Sequence, residues 1–132
     1  MTAEKDLARL LATLSPELNP QEYVFTTFAD AQYGDHSELQ PLAAMQEEEG
    51  LTLIVPRVLA DEQQLSYEGV FKCITLKVHS SLAAVGLTAA FSRVLTDHDI
   101  SANVIAGFYH DHIFVPPDRA DEAMQALRSL SS

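Results

Sequence analysis

Between Val70 and Leu130 the hydrophobic period changes several times, and that succession limits the fold more than any single motif. Residues Val70 to Val78 alternate, with Ile74, Leu76 and Val78 pointing one way and Phe71, Cys73, Thr75 and Lys77 the other, which is the pattern of a strand with one apolar face. The period then lengthens. Leu87, Ala90, Phe91, Val94 and Leu95 fall at the spacing of one helical face, so their stripe is expected to lie on that strand's apolar side. "ISANVIAGF" and "HIFVP" follow as two strands separated by a few residues, which predicts an antiparallel hairpin. Pro116 and Pro117 end the pairing. Asp118 is then expected to cap a last helix, with Asp121 completing an approximate capping box and Ala120, Ala123, Met124, Leu127 and Leu130 forming the buried stripe.

This β-α-β-β-α order makes an α+β fold, with a mixed, mainly antiparallel sheet and helices on one face. It is the ferredoxin-like arrangement without its final strand, which must come from elsewhere, most simply from the first half. That half supplies comparable elements in the order α-β-α-β. Asp6 to Leu14 carries leucines at helical spacing until Pro16 and Pro20 stop it, and "EYVFTTF" reads as a strand. "SELQPLAAMQEEEG" reads as a short helix with Pro41 in its first turn and Gly50 at its end. "LTLIVP" shows little polar alternation, as a strand at a sheet centre would. The polar stretch "RVLADEQQLSYEG", with a helical turn around Asp61 to Leu65, is the natural boundary between domains at 1–68 and 69–132.

A chain of 132 residues buries enough surface to fold without disulfides or metals. Its single cysteine, Cys73, cannot form an intrachain disulfide, which suits a reducing compartment. "LARLLATL" is interrupted by Arg9 and too short to span a bilayer, and the N-terminus lacks the basic region of a signal peptide, so a cytoplasmic location is expected. The net charge of −11 is uneven: residues 1–68 hold thirteen Asp/Glu against three Lys/Arg, and residues 69–132 hold six against five. With no basic cluster to neutralise phosphates, nucleic acid and anionic membrane are poor partners.

His110, Asp111 and His112 form the most conspicuous polar run. In an extended segment the two imidazoles share a side and could supply two metal ligands, but a zinc site needs three or four, and His79, His98 and His36 complete no zinc spacing. His110 and Asp111, as neighbours in a strand, would point to opposite faces and cannot act together on one substrate. Cys73 inside a strand reads as a packing residue. Neither a P-loop nor a dinucleotide fingerprint is present, and "QEEEG" reads as a solvated charge run. No catalytic residues, cofactor or metal are therefore expected.

The run "FKCITLKVHSSLAAVGLTAAFSRVLTDHDISANVIAGFYHDHIFVPPDRADEAMQAL" resembles the ACT domains of aspartokinases and CASTOR-type arginine sensors. The first half is similar to the degenerate partner domain of small bacterial double-ACT proteins. The resemblance implies tandem ACT domains side by side, a homodimer, and a small-molecule ligand, most simply an amino acid, at an interface between domains or subunits. It places the ligand on the loop His79 to Thr88, through Ser80, Ser81, Val85, Gly86, Leu87 and Thr88, and on the facing strand through Asn103 and Ile105. Asp111 stands where sensor-type relatives carry an acidic residue. The loop suits a carboxylate, because Gly86 allows close approach, the serines offer hydroxyls and the helix behind presents unpaired N–H groups. Ser81 is also readable as a helix cap, Gly86 as a packing residue, Asn103 as a strand-edge amide and Asp111 as a turn former. Three functions follow: a non-catalytic regulatory or sensory amino-acid-binding module, a ligand-free dimerisation module, or a metal-dependent enzyme built on the histidines.

Overall fold

A computed structural model describes residues 7–78 and 86–131. Its elements are α1 (Leu7–Thr13), β1 (Ser15–Phe28), β2 (Ala43–Glu47), β3 (Gly50–Pro56), α2 (Arg57–Glu62), β4 (Glu68–Lys77), α3 (Leu87–Asp97), β5 (Asn103–Ala106), β6 (Asp111–Val115) and α4 (Ala120–Arg128), with short 3-10 turns between them. The chain divides into two units, one made of Met1–Asn19 with Lys72–Ser132, the other of Pro20–Phe71. α1 and the beginning of β1 thus pack with the second half of the sequence, whereas the linear expectation divides the chain at 68/69.

In the discontinuous unit the strands run in the order β1-β4-β6-β5. The strand that completes this sheet is the beginning of β1, supplied by the first half of the chain as the topology required; Glu17 on it pairs with Lys77 at the end of β4. β4 and β5 both lie antiparallel to β6, with Ile74 opposite Ile113 and Val104 opposite Ile113 on the other side. They therefore point the same way, and α3 is the crossover between them. Ile74, Leu76, Ile113 and Val115 project from one sheet face into a core shared with Leu10 of α1, Phe91 and Leu95 of α3, and Ala123 and Leu127 of α4. The α3 stripe is narrower than its spacing suggests: Leu87, Phe91 and Leu95 are buried, while Ala90 and Val94 are half-buried.

The start of α4 differs from the capping-box expectation. Pro117–Arg119 forms a 3-10 turn, Arg119 occupies the N-cap position, and no side chain caps the helix. Proline's fixed φ begins the turn early, so Asp118 falls inside it and cannot cap. Arg119 instead reaches the carbonyl of His98 at 2.8 Å and the Glu122 carboxylate. Asp121 and Glu122 still lie in the first turn, where the helix dipole favours negative charge.

In the unit Pro20–Phe71 the order is β2-β3-β1, with both pairings antiparallel. The helix expected across Ser37 to Gly50 is absent. A 3-10 turn at Ser37–Leu39 is flanked by left-handed His36 and Gln40, and Ala43–Glu47 then pairs with β3 as a strand. The left-handed Gln40 and the ring of Pro41 end helical continuation, and the apolar run after them is largely exposed rather than a helical stripe. Glu48 and Glu49 form the two-residue hairpin loop, and Gly50 is required after it. Its φ is +152°, and a Cβ there would lie 2.7 Å from the Phe28 carbonyl oxygen.

β1 also begins earlier than "EYVFTTF" suggests. Pro16 and Pro20 end the helix but lie within the strand, since proline's φ suits extended backbone wherever its missing N–H falls outside the ladder. α2 starts directly after β3, several residues ahead of the expected turn. β3 is buried nearly throughout, as expected of a strand paired on both sides, and Val24, Leu51, Leu53, Val55 and Ala60 form this unit's core.

Candidate functional site

The β5–β6 hairpin and the start of α3 carry every described residue of the expected ligand set. Cross-strand register sorts the hairpin side chains. Asn103 pairs with Phe114, which pairs with Cys73, and Ile105 pairs with His112, which pairs with Thr75. Successive strand residues alternate, so these six face away from the helix-covered core. Asn103 is exposed and Ile105 half-buried. Asp111 faces the other way. It lies between Ala106 and Leu76, on the face occupied by α3, at the end of β4 from which the chain leads toward that helix. Asn103 and Ile105 are therefore brought together with each other, and Asp111 is separated from them by the sheet.

The hairpin closes tightly. The Gly107 N–H donates to the His110 carbonyl at 2.9 Å, leaving Phe108 and Tyr109 at the tip, 76% and 69% exposed. β6 begins at Asp111, so His110 belongs to the turn and does not alternate with His112 as two residues of one strand would. His112 Nδ1 lies 3.0 Å from Thr75 Oγ1. Nδ1 of His110 is buried with no hydrogen-bond partner among the described residues. Burial holds the Asp111 carboxyl above its usual range, against the pull of His112 and His110. Burial likewise pushes the His112 imidazole down, reinforced by His110 and opposed by Asp111. Among the described residues, no three or more His, Cys, Asp or Glu side chains gather where they could hold a metal ion.

At the other part of the site, Gly86 is the N-cap of α3, with φ +97° and ψ −14° and no side-chain capping bond. A Cβ at Gly86 would lie 3.1 Å from a methyl of Leu7, so both the backbone conformation and α1 favour glycine there. The Ala90 N–H donates to the Gly86 carbonyl, and the amides of Leu87, Thr88 and Ala89, in the first turn, have no partner within the helix. Leu87 is buried in the core, which leaves its backbone amide as its means of contact, whereas Thr88 is exposed. Ser80, Ser81, Val85 and His79 lie outside the described residues.

Sequence reasoning missed a second concavity, of about 490 Å³, in Pro20–Phe71, lined in part by Phe25, Thr27, Glu47, Thr52 and Glu68. Reading Ser37 to Gly50 as a helix separated Glu47 from Thr52, which the β2–β3 hairpin places side by side. The alternation of Phe25 and Thr27 within "EYVFTTF" was the one available signal.

An antiparallel α+β sheet with a split β-α-β crossover and helices on one face defines the class: a ferredoxin-like fold. The sequence matches the ACT domain family twice, over residues 2–72 and 69–129, and the chain belongs to that family. A Vibrio cholerae protein of unknown function, described as a possible transport protein, is 48% identical, with a TM-score of 0.87 and 96% of each chain covered. The ligand-free regulatory subunit of aspartate kinase from Thermus thermophilus shares the fold at 10% identity and TM-score 0.66, covering 91% of this chain and 97% of that one. E. coli aspartokinase III in complex with aspartate and ADP is similar at 14% identity and TM-score 0.63, covering 92% of this chain and 33% of that one. A comparison with curated protein sequences returned no match. ACT domains are regulatory modules, and no catalytic family is indicated. Among the described residues no helix is long and apolar enough to cross a membrane.

Proposed function

We propose that the chain is a cytoplasmic regulatory or sensory ACT protein that binds a free amino acid and has no catalytic activity of its own. Its sequence repeats, 1–68 and 69–132, are read as two ACT domains, the first degenerate. The observation that carries this reading is the first turn of α3, whose amides have no partner within the helix, behind a left-handed Gly86 and on the same sheet face as Asp111. A ligand carboxylate would accept hydrogen bonds from the Leu87 and Thr88 amides, helped by the helix dipole and the Thr88 hydroxyl. Ser80, Ser81 and Val85, which lead into this turn, belong to the same proposed set. The ligand's ammonium group would face Asp111, whose half-buried carboxylate is costly to ionise until a cation accompanies it.

Asn103 and Ile105, on the sheet face away from α3, are assigned to the boundary where a second copy completes the site in a homodimer. Ligand binding then acts by favouring the arrangement of subunits it fits better, since a ligand shifts an equilibrium only through differential affinity. Any output passes through a separate partner or through self-association.

Thermal unfolding of the purified protein in the presence of each of the twenty amino acids tests this. One amino acid or a small related group is expected to stabilise the fold, by about 2.7 kcal/mol at a hundredfold excess over its dissociation constant. The stabilisation should shrink in an Asp111→Asn variant. Stabilisation by none of the twenty contradicts the proposal and leaves the ligand-free dimerisation module as the better account.

A further inference from the structure

The unit Pro20–Phe71 holds ten acidic side chains and one basic side chain, Arg57. That guanidinium is already engaged, with Glu22 at 2.9 Å and Asp61 at 3.6 Å. The unit therefore presents a field that draws cations toward it and repels anions.

The cleft of about 490 Å³ lies in this field. Phe25 and Thr27 alternate onto one face of β1, and Thr27 stands opposite Thr52 of β3. Glu47, on β2, accepts a hydrogen bond from the Thr52 hydroxyl, which anchors the carboxylate beside the cleft. Tyr67 forms another wall, with its phenol held by donation to Asp61 at 2.8 Å. Glu68 lines the cleft at the start of β4. The lining thus combines two carboxylates, threonine hydroxyls and two aromatic rings, with no Lys, Arg or His among the described residues that line it.

Each feature narrows the ligand. An anion would meet the Glu47 and Glu68 carboxylates, and the nearby Arg57, which also interacts with Tyr67, is already paired with Glu22 and Asp61; a neutral apolar molecule would leave the carboxylates unused. A bare metal ion needs several converging oxygen or nitrogen ligands, and aromatic walls supply none. A volume of this size suits a small organic molecule. What satisfies the whole lining is an aliphatic stem against Phe25 and Tyr67 with ammonium groups at the carboxylates, an arrangement the aromatic faces also favour. We propose that this cleft is a binding site for a small aliphatic diamine, separate from the amino-acid site at α3.

Isothermal titration of the full chain with putrescine, at physiological ionic strength, tests the assignment, with magnesium chloride as the inorganic control. Saturable one-to-one binding is expected, weakened at least tenfold in a Glu47→Gln, Glu68→Gln variant. A Glu48→Gln, Glu49→Gln variant removes the same charge from the hairpin loop and should bind as the parent does. Far-UV circular dichroism and unfolding midpoints for both variants separate loss of the site from loss of the fold, and saturation transfer from putrescine to the Phe25 and Tyr67 ring protons in the parent chain gives a readout that needs no variant. Absence of saturable binding overturns the proposal. So does an equal effect of the two charge-removing pairs, or displacement of putrescine by magnesium at equal concentration, since either marks the diamine as a diffuse counterion.

Discussion

Asp111 and His112 are neighbours in β6 whose side chains leave the sheet on opposite faces, and burial makes the charged form of each costly in its own way. For His112, the folded imidazole titrates below its ordinary value of 6.5, so around that pH the unfolded chain binds more protons than the folded one. Stability is therefore lost as pH falls through 6.5 toward the folded pKa. Asp111 acts in the opposite sense but at lower pH, because its raised pKa lets the folded chain take up a proton first and so gain stability on acidification. Between pH 7.5 and 5.5 the histidine is expected to dominate. Urea unfolding midpoints of the parent should fall over that interval more than those of a His112→Gln variant. Equal slopes for the two proteins contradict the assignment. The run His110 to His112 was legible in the sequence as a hairpin with alternating faces. What was not legible is that Asp111, readable as a turn former, is the first residue of β6 and that Phe108, placed in the preceding strand, lies at the tip, because a strand's first residue depends on how the Phe108–Tyr109 tip closes rather than on local pattern.

Among the elements, α1 shows how a short helix depends on its packing. Seven residues are too few to hold a helix in water by propensity, so α1 persists through contact with the core. Leu10 is fully buried there, in a cluster with Ile74, Phe91 and Leu127, all from the second half of the sequence. A Leu10→Ala variant is expected to lose about 2–5 kcal/mol of stability. Chemical denaturation measures this, and a loss below about 0.5 kcal/mol, the range typical of surface sites, would show that α1 does not belong to that core. The elements legible in the sequence are those with strong periodicity: α1, β3, β4, α3, the β5–β6 pairing and α4. Those misread lie where burial is weak or long-range pairing decides. Ala43–Glu47 is exposed along most of its length, so no hydrophobic period marks it, and only its pairing with β3 makes it a strand. The early start of β1 escapes notice because Pro16 and Pro20 punctuate a sequence that local rules read as a stop. In the candidate site, Gly86 and Thr88 were legible because a helix start has a sequence signature, whereas the division between Asn103 and Asp111 required the register.

At the scale of the whole molecule, the chain solves the missing-strand problem of its second ACT repeat by returning residues from the first. The unit built from Met1–Asn19 and Lys72–Ser132 contains α1, the beginning of β1 and the complete β4-α3-β5-β6-α4 series. It also contains every described residue of the proposed amino-acid site. The acidic charge is concentrated elsewhere, in Pro20–Phe71, where the diamine cleft lies. The chain therefore separates a near-neutral unit, suited to a zwitterionic ligand, from a strongly anionic one suited to a cation. The central claim is that a free amino acid binds at the first turn of α3. Backbone amide chemical shifts of isotope-labelled protein, followed during titration with each of the twenty amino acids, test it most directly. The account predicts that at least one amino acid moves the amides of Gly86, Leu87, Thr88 and Asp111 saturably and together. Titrations that leave all four unmoved, or that shift only amides of Pro20–Phe71, would contradict it.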